Sequence, residues 1–163
     1  MEFSVVKRSL VLKRFLDESR GNLNLSGVAI TDKDLRALAA LLKKAETPEE
    51  GHSPMDALEK LDLMYNPGFT SAGLRALAGL AILSRLTELN LYGCRVGNAT
   101  LQLVVELFPT LNNLWIGGKR CSVSISGLEA LLGLPDLTDV AVYDRGRYAA
   151  KLRELKPGLR VVF

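Results

Sequence analysis

Hydrophobic residues recur along the chain in short alternating runs that share one frame. Four segments have apolar residues at their first, fourth and sixth positions: "LEKLDLMYNPGF" from Leu58, "LTELNLYGCRV" from Leu86, "LNNLWIGGKRC" from Leu111 and "LTDVAVYDRGR" from Leu137. An earlier copy, "RGNLNLSGVAI" from Arg20, keeps the fourth and sixth positions. Because side chains alternate along a strand, positions four and six of each copy turn to the same side. The pattern predicts one strand in each copy of an internal repeat.

The spacing between the copies indicates one class of repeat with a single insertion. The fourth-position residues are separated by 38, 28, 25 and 26 residues, and they are Leu23, Leu61, Leu89, Leu114 and Val140. The surplus in the first interval is "KKAETPEEGHSP", whose charges and prolines predict a solvated loop. A shortened last copy, "KPGLRVVF", predicts a closing strand with Leu159 and Val161 turned inward.

Each copy continues into a helical pattern that would cover the same core. Apolar pairs at helical spacing follow the strands: Leu35 and Leu38, Leu74 and Leu77, Leu101 and Val104, Leu128 and Leu131, Leu152 and Leu155. Helix starts are predicted from two kinds of signal: capping boxes at Thr31 with Asp34 and at Ser126 with Glu129, and simple caps at Thr70 and Asn98. Pro109 and Pro135 are predicted to end the third and fourth helices. One strand and one helix cannot bury their apolar faces alone, so the copies must stack.

These segments resemble the leucine-rich repeat family, whose signature is L-x-x-L-x-L-x-x-N/C-x-L. Intervals of 25 to 28 residues with a helix per repeat are similar to the ribonuclease-inhibitor-like or cysteine-containing classes. The resemblance implies an α/β solenoid with a curved parallel sheet on its concave side and helices on its convex side. At the ninth position the family places asparagine or cysteine to bind neighbouring backbone. Asn66 and Cys94 match, whereas Val28, Lys119 and Arg145 do not, which predicts irregular outer copies.

The first residues carry a different pattern, a basic amphipathic helix. Cationic residues alternate with apolar ones in "MEFSVVKRSLVLKRFLDESR". A mitochondrial presequence is one interpretation, but the acidic residues Glu2, Asp17 and Glu18 are unusual in such peptides. We therefore expect residues 1–19 to form an N-terminal capping helix over the open end of the fold. Residues 20–163 are expected to form a leucine-rich repeat domain of about five repeats and the shortened closing strand.

Composition narrows the class of protein further. The chain has 163 residues, of which 48% are hydrophobic and 24% charged, as expected for one globular domain. Its apolar runs are shorter than the roughly 18 residues that a membrane span needs. The net charge is +3, and no block of basic residues is dense enough to indicate a groove that binds nucleic acid. Two cysteines and one histidine are too few for a disulfide framework or a paired zinc site. The expected location is intracellular, in the cytoplasm or, if the N-terminus is a presequence, in mitochondria.

Candidate catalytic groups do not converge in the sequence. His52 lies in the inserted loop, and no motif joins it to a serine or cysteine. Cys121 falls at an inward position of its copy, and "GGKRCS" from Gly117 lacks the spacing of a phosphate-binding loop. We expect no enzymatic activity, no cofactor, no metal and no small-molecule substrate.

The outward positions of the predicted strands give a more specific hypothesis. Aromatic, acidic and amide side chains collect there, and the candidate partner-binding residues are Asp62, Met64, Glu88, Asn90, Tyr92, Trp115, Asp139 and Tyr143, with Tyr65 at the edge. Aromatic residues also favour strands for structural reasons. An exposed aromatic cluster is nevertheless typical of protein-binding hot spots, and its acidic rim would suit a basic partner.

The leading interpretation is a non-catalytic module that binds another protein through the concave sheet face. The alternative is a structural subunit of a large multiprotein or ribonucleoprotein assembly, with RNA as a possible contact. That subunit would be held by the basic N-terminus or by the C-terminal cluster Arg145, Arg147, Lys151, Arg153, Lys156 and Arg160. The same cluster also fits the solvated face of a helix.

Overall fold

The computed structural model describes residues 21–47, 57–143 and 148–162, and of Tyr143 it describes only the backbone. The helix predicted for residues 1–19, the loop residue His52 and the cations Arg145 and Arg147 lie outside this part of the chain.

The strands form one parallel sheet in the order of the chain. They are β1 (Asn22–Asn24), β2 (Lys60–Asp62), β3 (Glu88–Asn90), β4 (Asn113–Gly117), β5 (Asp139–Tyr143) and β6 (Arg160–Val162). The predicted fourth-position residues are directly paired, Leu23 with Leu61, Leu61 with Leu89, Leu89 with Leu114, and Leu114 with Val140. Val140 pairs in turn with Val161 of the predicted closing strand. The repeat frame and the fold class are therefore confirmed.

Helical segments cover one face of the sheet, and their lengths vary between repeats. The α-helices are α1 (Asp32–Glu46), α2 (Ser71–Leu74), α3 (Asn98–Leu107), α4 (Ile125–Glu129) and α5 (Ala149–Leu155). Single turns of 3-10 helix span Arg75–Leu77, Ala81–Leu83 and Ala130–Gly133. The second and fourth repeats are thus covered by short α-helical turns that continue as 3-10 helix, whereas the first and third carry regular helices.

Two of the predicted helix starts are correct, and two are wrong. Thr31 and Asp34 form the reciprocal capping box of α1, and the Thr70 hydroxyl accepts from the Ala72 N–H at 3.2 Å. Asn98, however, is the first residue of α3, and Gly97 precedes it as the cap. Ser124, not Ser126, caps α4, because the Ser124 hydroxyl accepts from the Gly127 N–H at 3.4 Å.

The buried core lies between the sheet and the helices. Almost all of the predicted inward leucines are within it, including Leu35, Leu74, Leu101 and Leu128, while Leu155 is only half-buried. Burying a leucine side chain contributes about 1.5–3 kcal/mol, so this continuous layer supplies most of the favourable free energy of folding. Within the described ranges, no helix is long and apolar enough to cross a membrane.

The turns that follow the strands are held by the predicted ninth-position residues. The fully buried Asn66 amide donates to the carbonyls of Leu25 (2.7 Å) and Leu63 (2.9 Å) and accepts from the Ile30 N–H (2.8 Å). One repeat later, the Cys94 thiol donates to the Leu63 carbonyl at 2.9 Å. Val28 and Lys119, the departures from the family pattern, are exposed. Asn66 and Cys94 each tie their turn to the preceding repeat.

Candidate functional site

The parallel register arranges the outward side chains of the sheet in rows that cross the strands. The first row contains Asn22, Lys60, Glu88, Asn113, Asp139 and Arg160, and the second contains Asn24, Asp62, Asn90, Trp115, Ala141 and Val162. A third row, at the strand ends, contains Met64, Tyr92, Gly117 and Tyr143. The register places Trp115 beside Asn90.

The first row is largely neutralised by ion pairs between neighbouring strands. Lys60 Nζ lies 2.8 Å from Glu88 Oε1, and Arg160 pairs with Asp139. The Thr138 hydroxyl, which donates to Asp139 at 2.8 Å, and then Arg160 lower the pKa of the Asp139 carboxyl. Two of the three carboxylates of the predicted acidic rim are thus already paired. The rim is less negative than the sequence pattern indicates, because pairing across strands depends on register.

In the second row, three side chains close local turns at the strand ends. The Oδ1 atoms of Asn24, Asp62 and Asn90 accept from the backbone N–H two residues later, at 2.9, 2.8 and 3.1 Å. These local bonds stabilise the exit of each strand and orient its side chains. Residues at the strand ends therefore lie on fixed backbone.

An aromatic depression occupies the centre of the sheet face at the strand ends. Met64, Tyr65, Asn90, Tyr92 and Trp115 line a cavity of about 370 Å³. The Tyr65 and Tyr92 rings meet edge to face with their centroids 5.4 Å apart and an interplanar angle of 75°. Tyr65 is 56% exposed, the largest exposed fraction among the large hydrophobic side chains described. The rings thus form a preformed apolar wall that remains open to solvent.

The backbone of two turns brings the tyrosines together. Tyr65 adopts the left-handed region at φ 57°, which is uncommon for a bulky residue. Gly93, at φ 73°, lies directly beside the Tyr65 ring, where a side chain at position 93 would overlap it. The repeat frame predicts Tyr65 only at the edge of the candidate surface. Its role as a wall follows from this left-handed turn, which repeat spacing does not reveal.

A second depression, lined mainly by amide and charged residues, adjoins the first. It has a volume of about 240 Å³ and its side-chain lining includes Asn24, Lys60, Asp62, Glu88, Asn90 and Trp115. Asn90 and Trp115 line both depressions, so the two are continuous across the face. One side of Trp115 therefore faces the apolar depression and the other faces amides and charged groups.

The candidate residues are brought together on this face. Asp62, Met64, Glu88, Asn90, Tyr92 and Trp115 line the two depressions, and Asp139 lies in the first row beyond them. Tyr143 is paired through its backbone with Gly117, whereas its side chain is outside the described part of the structure. The structure shows their proximity, and their role in binding a partner stays a prediction.

Comparison with protein families agrees with the repeat seen in the coordinates. Residues 58–78, which contain β2 and α2, match the family model described as "Leucine Rich repeat". The chain contains a leucine-rich repeat. Assignment to the ribonuclease-inhibitor-like or cysteine-containing class stays a prediction, because the match covers one repeat. No curated protein matches the chain significantly.

The surroundings of both cysteines in this chain indicate a structural role. Burial raises the pKa of the Cys94 thiol to about 11, an effect opposed by the Asn66 backbone N–H and reinforced by the negative charge of Asp62. Cys121 is half-buried against the core, and neither residue forms a disulfide. A thiol with this pKa is a poor nucleophile at neutral pH. Among the residues described, no group of three or more His, Cys, Asp or Glu side chains is arranged to hold a metal ion.

The C-terminal basic cluster is engaged within the repeats. Lys151 pairs with Glu154 at 2.8 Å, and Lys156 donates to the carbonyls of Leu134 (2.6 Å) and Pro135 (3.1 Å). Arg160 pairs with Asp139, and Arg153 donates to the Val161 carbonyl at 3.4 Å. Lys156 and Arg160 thus join the last repeat to the preceding one, whereas Lys151 and Arg153 contact groups within the last repeat.

Proposed function

We propose that the protein binds a partner protein through its concave sheet face, with the aromatic depression as the centre of the contact. The observation that supports this most directly is the juxtaposition of Met64, Tyr65, Tyr92 and Trp115 around one open depression. Tryptophan and tyrosine are enriched among residues that dominate binding free energy, because they bury a large area with few rotatable bonds. Stacked repeats characteristically present such concave binding surfaces.

Preorganisation adds to this support. The depression is built on strands and strand-end turns whose side chains are oriented by the Asx-type bonds of Asp62 and Asn90. The edge-to-face contact also limits the motion of the Tyr65 and Tyr92 rings. Side chains that are ordered before binding lose little conformational entropy in a complex. Little of the free energy gained by burying apolar surface would therefore be lost to side-chain ordering when a partner binds.

The size of the face limits what it can bind alone. Six strands spaced about 4.8 Å apart span roughly 24 Å, whereas a standard interface buries about 800 Å² per partner. The exposed rows offer less than this area. We therefore infer that a tight complex also uses the turns that follow the strands.

The alternative, a structural subunit held by the C-terminal cations, has less support. Lys151, Lys156 and Arg160 already have partners within the chain. A nucleic-acid contact that used them would first have to break these interactions. The concave face requires no such rearrangement.

A quantitative affinity capture tests the proposal. The wild-type chain and a Tyr92→Ala/Trp115→Ala variant would be used as bait in native lysate, with bound proteins quantified by mass spectrometry. A matched control, Ile125→Ala/Leu132→Ala, removes two exposed apolar side chains from the helical side. We expect partners that are depleted at least tenfold by the concave variant and retained by the control. Equal recovery by all three folded baits would refute binding at this face.

A further inference from the structure

Three exposed cations lie in the turns that follow β3 and β4, the strands that position Tyr92 and Trp115 of the aromatic depression. Arg95 follows Cys94 in the turn after β3, and Lys119 and Arg120 follow Gly118 in the turn after β4. All three are exposed, and within the described chain none forms an ion pair. They differ in this from Lys60 and Arg160, whose charges are compensated on the sheet.

Backbone contacts place these cations next to the aromatic rings. The Gly93 N–H donates to the Gly117 carbonyl at 3.0 Å, and the Ser122 N–H donates to the Val96 carbonyl at 2.8 Å, so the two turns run side by side. The Tyr92 ring also reaches Gly118, since a methyl group at Gly118 would be 3.8 Å from Tyr92 Cε2. Apolar and cationic surfaces are therefore continuous at this edge.

Carboxylates are distributed differently on the same face. Glu88 and Asp139 are paired with Lys60 and Arg160, and Asp62 is the carboxylate of the two depressions that has no ion pair within the described residues. Asp62 lines the second depression, and its charge reaches the Cys94 thiol in the turn of Arg95. The described turns after β3 and β4 thus carry three exposed cations against one carboxylate without an ion pair, in contrast to the acidic rim that the sequence predicts.

We propose that the partner segment carries an apolar or aromatic anchor with an aspartate or glutamate close to it in sequence. The anchor would enter the depression of Tyr65, Tyr92 and Trp115, and the carboxylate would contact the turns of Arg95, Lys119 and Arg120. This inference rests on the proposed function and adds the chemistry of the partner. Charge complementarity at the border of an apolar centre gives orientation and specificity to a complex.

The charge distribution favours an acidic peptide over a nucleic acid. A single strand of RNA would carry phosphates across the whole face, where Asp62, which has no ion pair within the described residues, would repel them. A peptide needs negative charge at only one end of its contact. Three compensating cations at one edge match a local carboxylate and do not form a continuous phosphate track.

A peptide-display selection on the full chain tests the inference. A random dodecapeptide library would be selected against the wild type and against three variants of verified folding. The first is Arg95→Gln/Lys119→Gln/Arg120→Gln, and the second is Tyr92→Ala/Trp115→Ala. The third, Lys33→Gln/Arg36→Gln/Arg85→Gln, neutralises three exposed cations away from the face as a matched charge control.

We expect peptides enriched on the wild type to combine an apolar residue with a nearby Asp or Glu. The Arg95, Lys119 and Arg120 variant should lose the acidic preference and bind the consensus peptide roughly tenfold more weakly. The matched control should retain both the preference and the affinity. The Tyr92→Ala/Trp115→Ala variant should enrich no peptides from the library.

The remaining outcomes separate the two proposals. Peptides that require Tyr92 and Trp115 but show no acidic preference would overturn this inference and leave the concave-face proposal standing. Selection that does not require the aromatic side chains would contradict the concave face itself. Saturable binding of oligouridylate that is lost in the Arg95, Lys119 and Arg120 variant would assign this edge to RNA and overturn the peptide inference.

Discussion

Asn98 and Ser124 exchange two hydrogen bonds between the starts of neighbouring helices. Asn98 Oδ1 accepts from the Ser124 N–H at 2.9 Å, and Asn98 Nδ2 donates to the Ser124 hydroxyl at 2.8 Å. Asp32 and Thr70 form the equivalent pair two repeats earlier, at 2.6 and 2.9 Å. Asp32 and Asn98, each the first residue of its helix, thus bind the N-cap residue of the helix in the next repeat.

Gly127 is required by this arrangement, and a double-mutant cycle will measure the coupling. Gly127→Ala would ordinarily add about 1 kcal/mol to helix stability. Here its methyl group would overlap the Asn98 side chain, so we expect a loss of about 1–2 kcal/mol in the free energy of unfolding in urea. Asn98→Ala alone should cost about 1 kcal/mol. With Asn98→Ala present, Gly127→Ala should become neutral or stabilising.

The equivalent glycine of the second repeat provides the control for this cycle. A methyl group at Gly73 would lie 2.8 Å from the backbone Cα of Asp32, which no side-chain substitution removes. Gly73→Ala should therefore remain destabilising in an Asp32→Ala background. Additive effects at Asn98 and Gly127 would contradict the proposed overlap.

Asn66→Ala should be among the most destabilising substitutions in the chain. It would leave the Ile30 N–H and the Leu25 carbonyl without their buried partner, and the Leu63 carbonyl would keep only the weak Cys94 thiol donor. Each such loss costs about 1–3 kcal/mol, so the free energy of unfolding should fall by about 3 kcal/mol or more. Asn112→Ala, which removes one exposed bond to the Asp136 carbonyl, should cost less than about 1 kcal/mol. Similar urea midpoints for the two variants would contradict the role of Asn66.

Cys94 should give the protein an alkaline pH dependence. Its thiol binds a proton more tightly in the folded state, with a pKa raised to about 11 from the ordinary 9.0. The unfolded chain therefore loses that proton first, and the free energy of unfolding should fall as pH rises from 9.0 towards 11. The loss attributable to Cys94 should be about 2–3 kcal/mol.

Cys94→Ala isolates this contribution from the titration of lysines and tyrosines. Comparing urea unfolding of the wild type and the variant at several pH values should show a flatter alkaline slope in the variant. In the native wild type at pH 8, a thiol reagent should modify Cys121 before Cys94. Rapid modification of Cys94 would be incompatible with its burial.

Trp115 should report occupation of the concave face. It is the single tryptophan of the chain, is half-buried, and lines both depressions. A bound apolar segment would remove water from the indole, so its fluorescence emission should shift to shorter wavelength. The Ile125→Ala/Leu132→Ala control should show the same shift on adding a selected peptide. An unchanged spectrum on a peptide that binds would place the contact elsewhere.

Repeat spacing predicted the strand register because a one-residue slip would expose every inward leucine. Leu61, Leu89 and Leu114 could pair in only one way without losing their burial. The outward positions of Trp115 and Tyr92 were predicted from the same repeat frame, since alternate residues of a strand must face solvent. This part of the candidate site was therefore determined by local periodicity.

Features that depend on contacts between repeats were not predictable in the same way. The choice of Ser124 over Ser126 as a cap follows from the reach of Asn98, and sequence spacing carries no information on that contact. Predicting the ion pair of Glu88 with Lys60 requires both the strand register and the side-chain geometry. The wall formed by Tyr65 depended on its left-handed backbone, which few bulky residues adopt.

The hydrogen bonds between helix starts join the first four repeats in two pairs. Asp32 and Thr70 join the first repeat to the second, and Asn98 and Ser124 join the third to the fourth. Between the second and third, the described side-chain contacts include the exposed ion pair of Arg75 with Glu106 at 3.7 Å and the Thr110 hydroxyl, which donates to the Ser84 carbonyl at 3.3 Å. Tyr65 and Tyr92 meet across this same seam on the opposite side of the molecule. A segment seated on those rings would contact the second and third repeats together and would so stabilise their association.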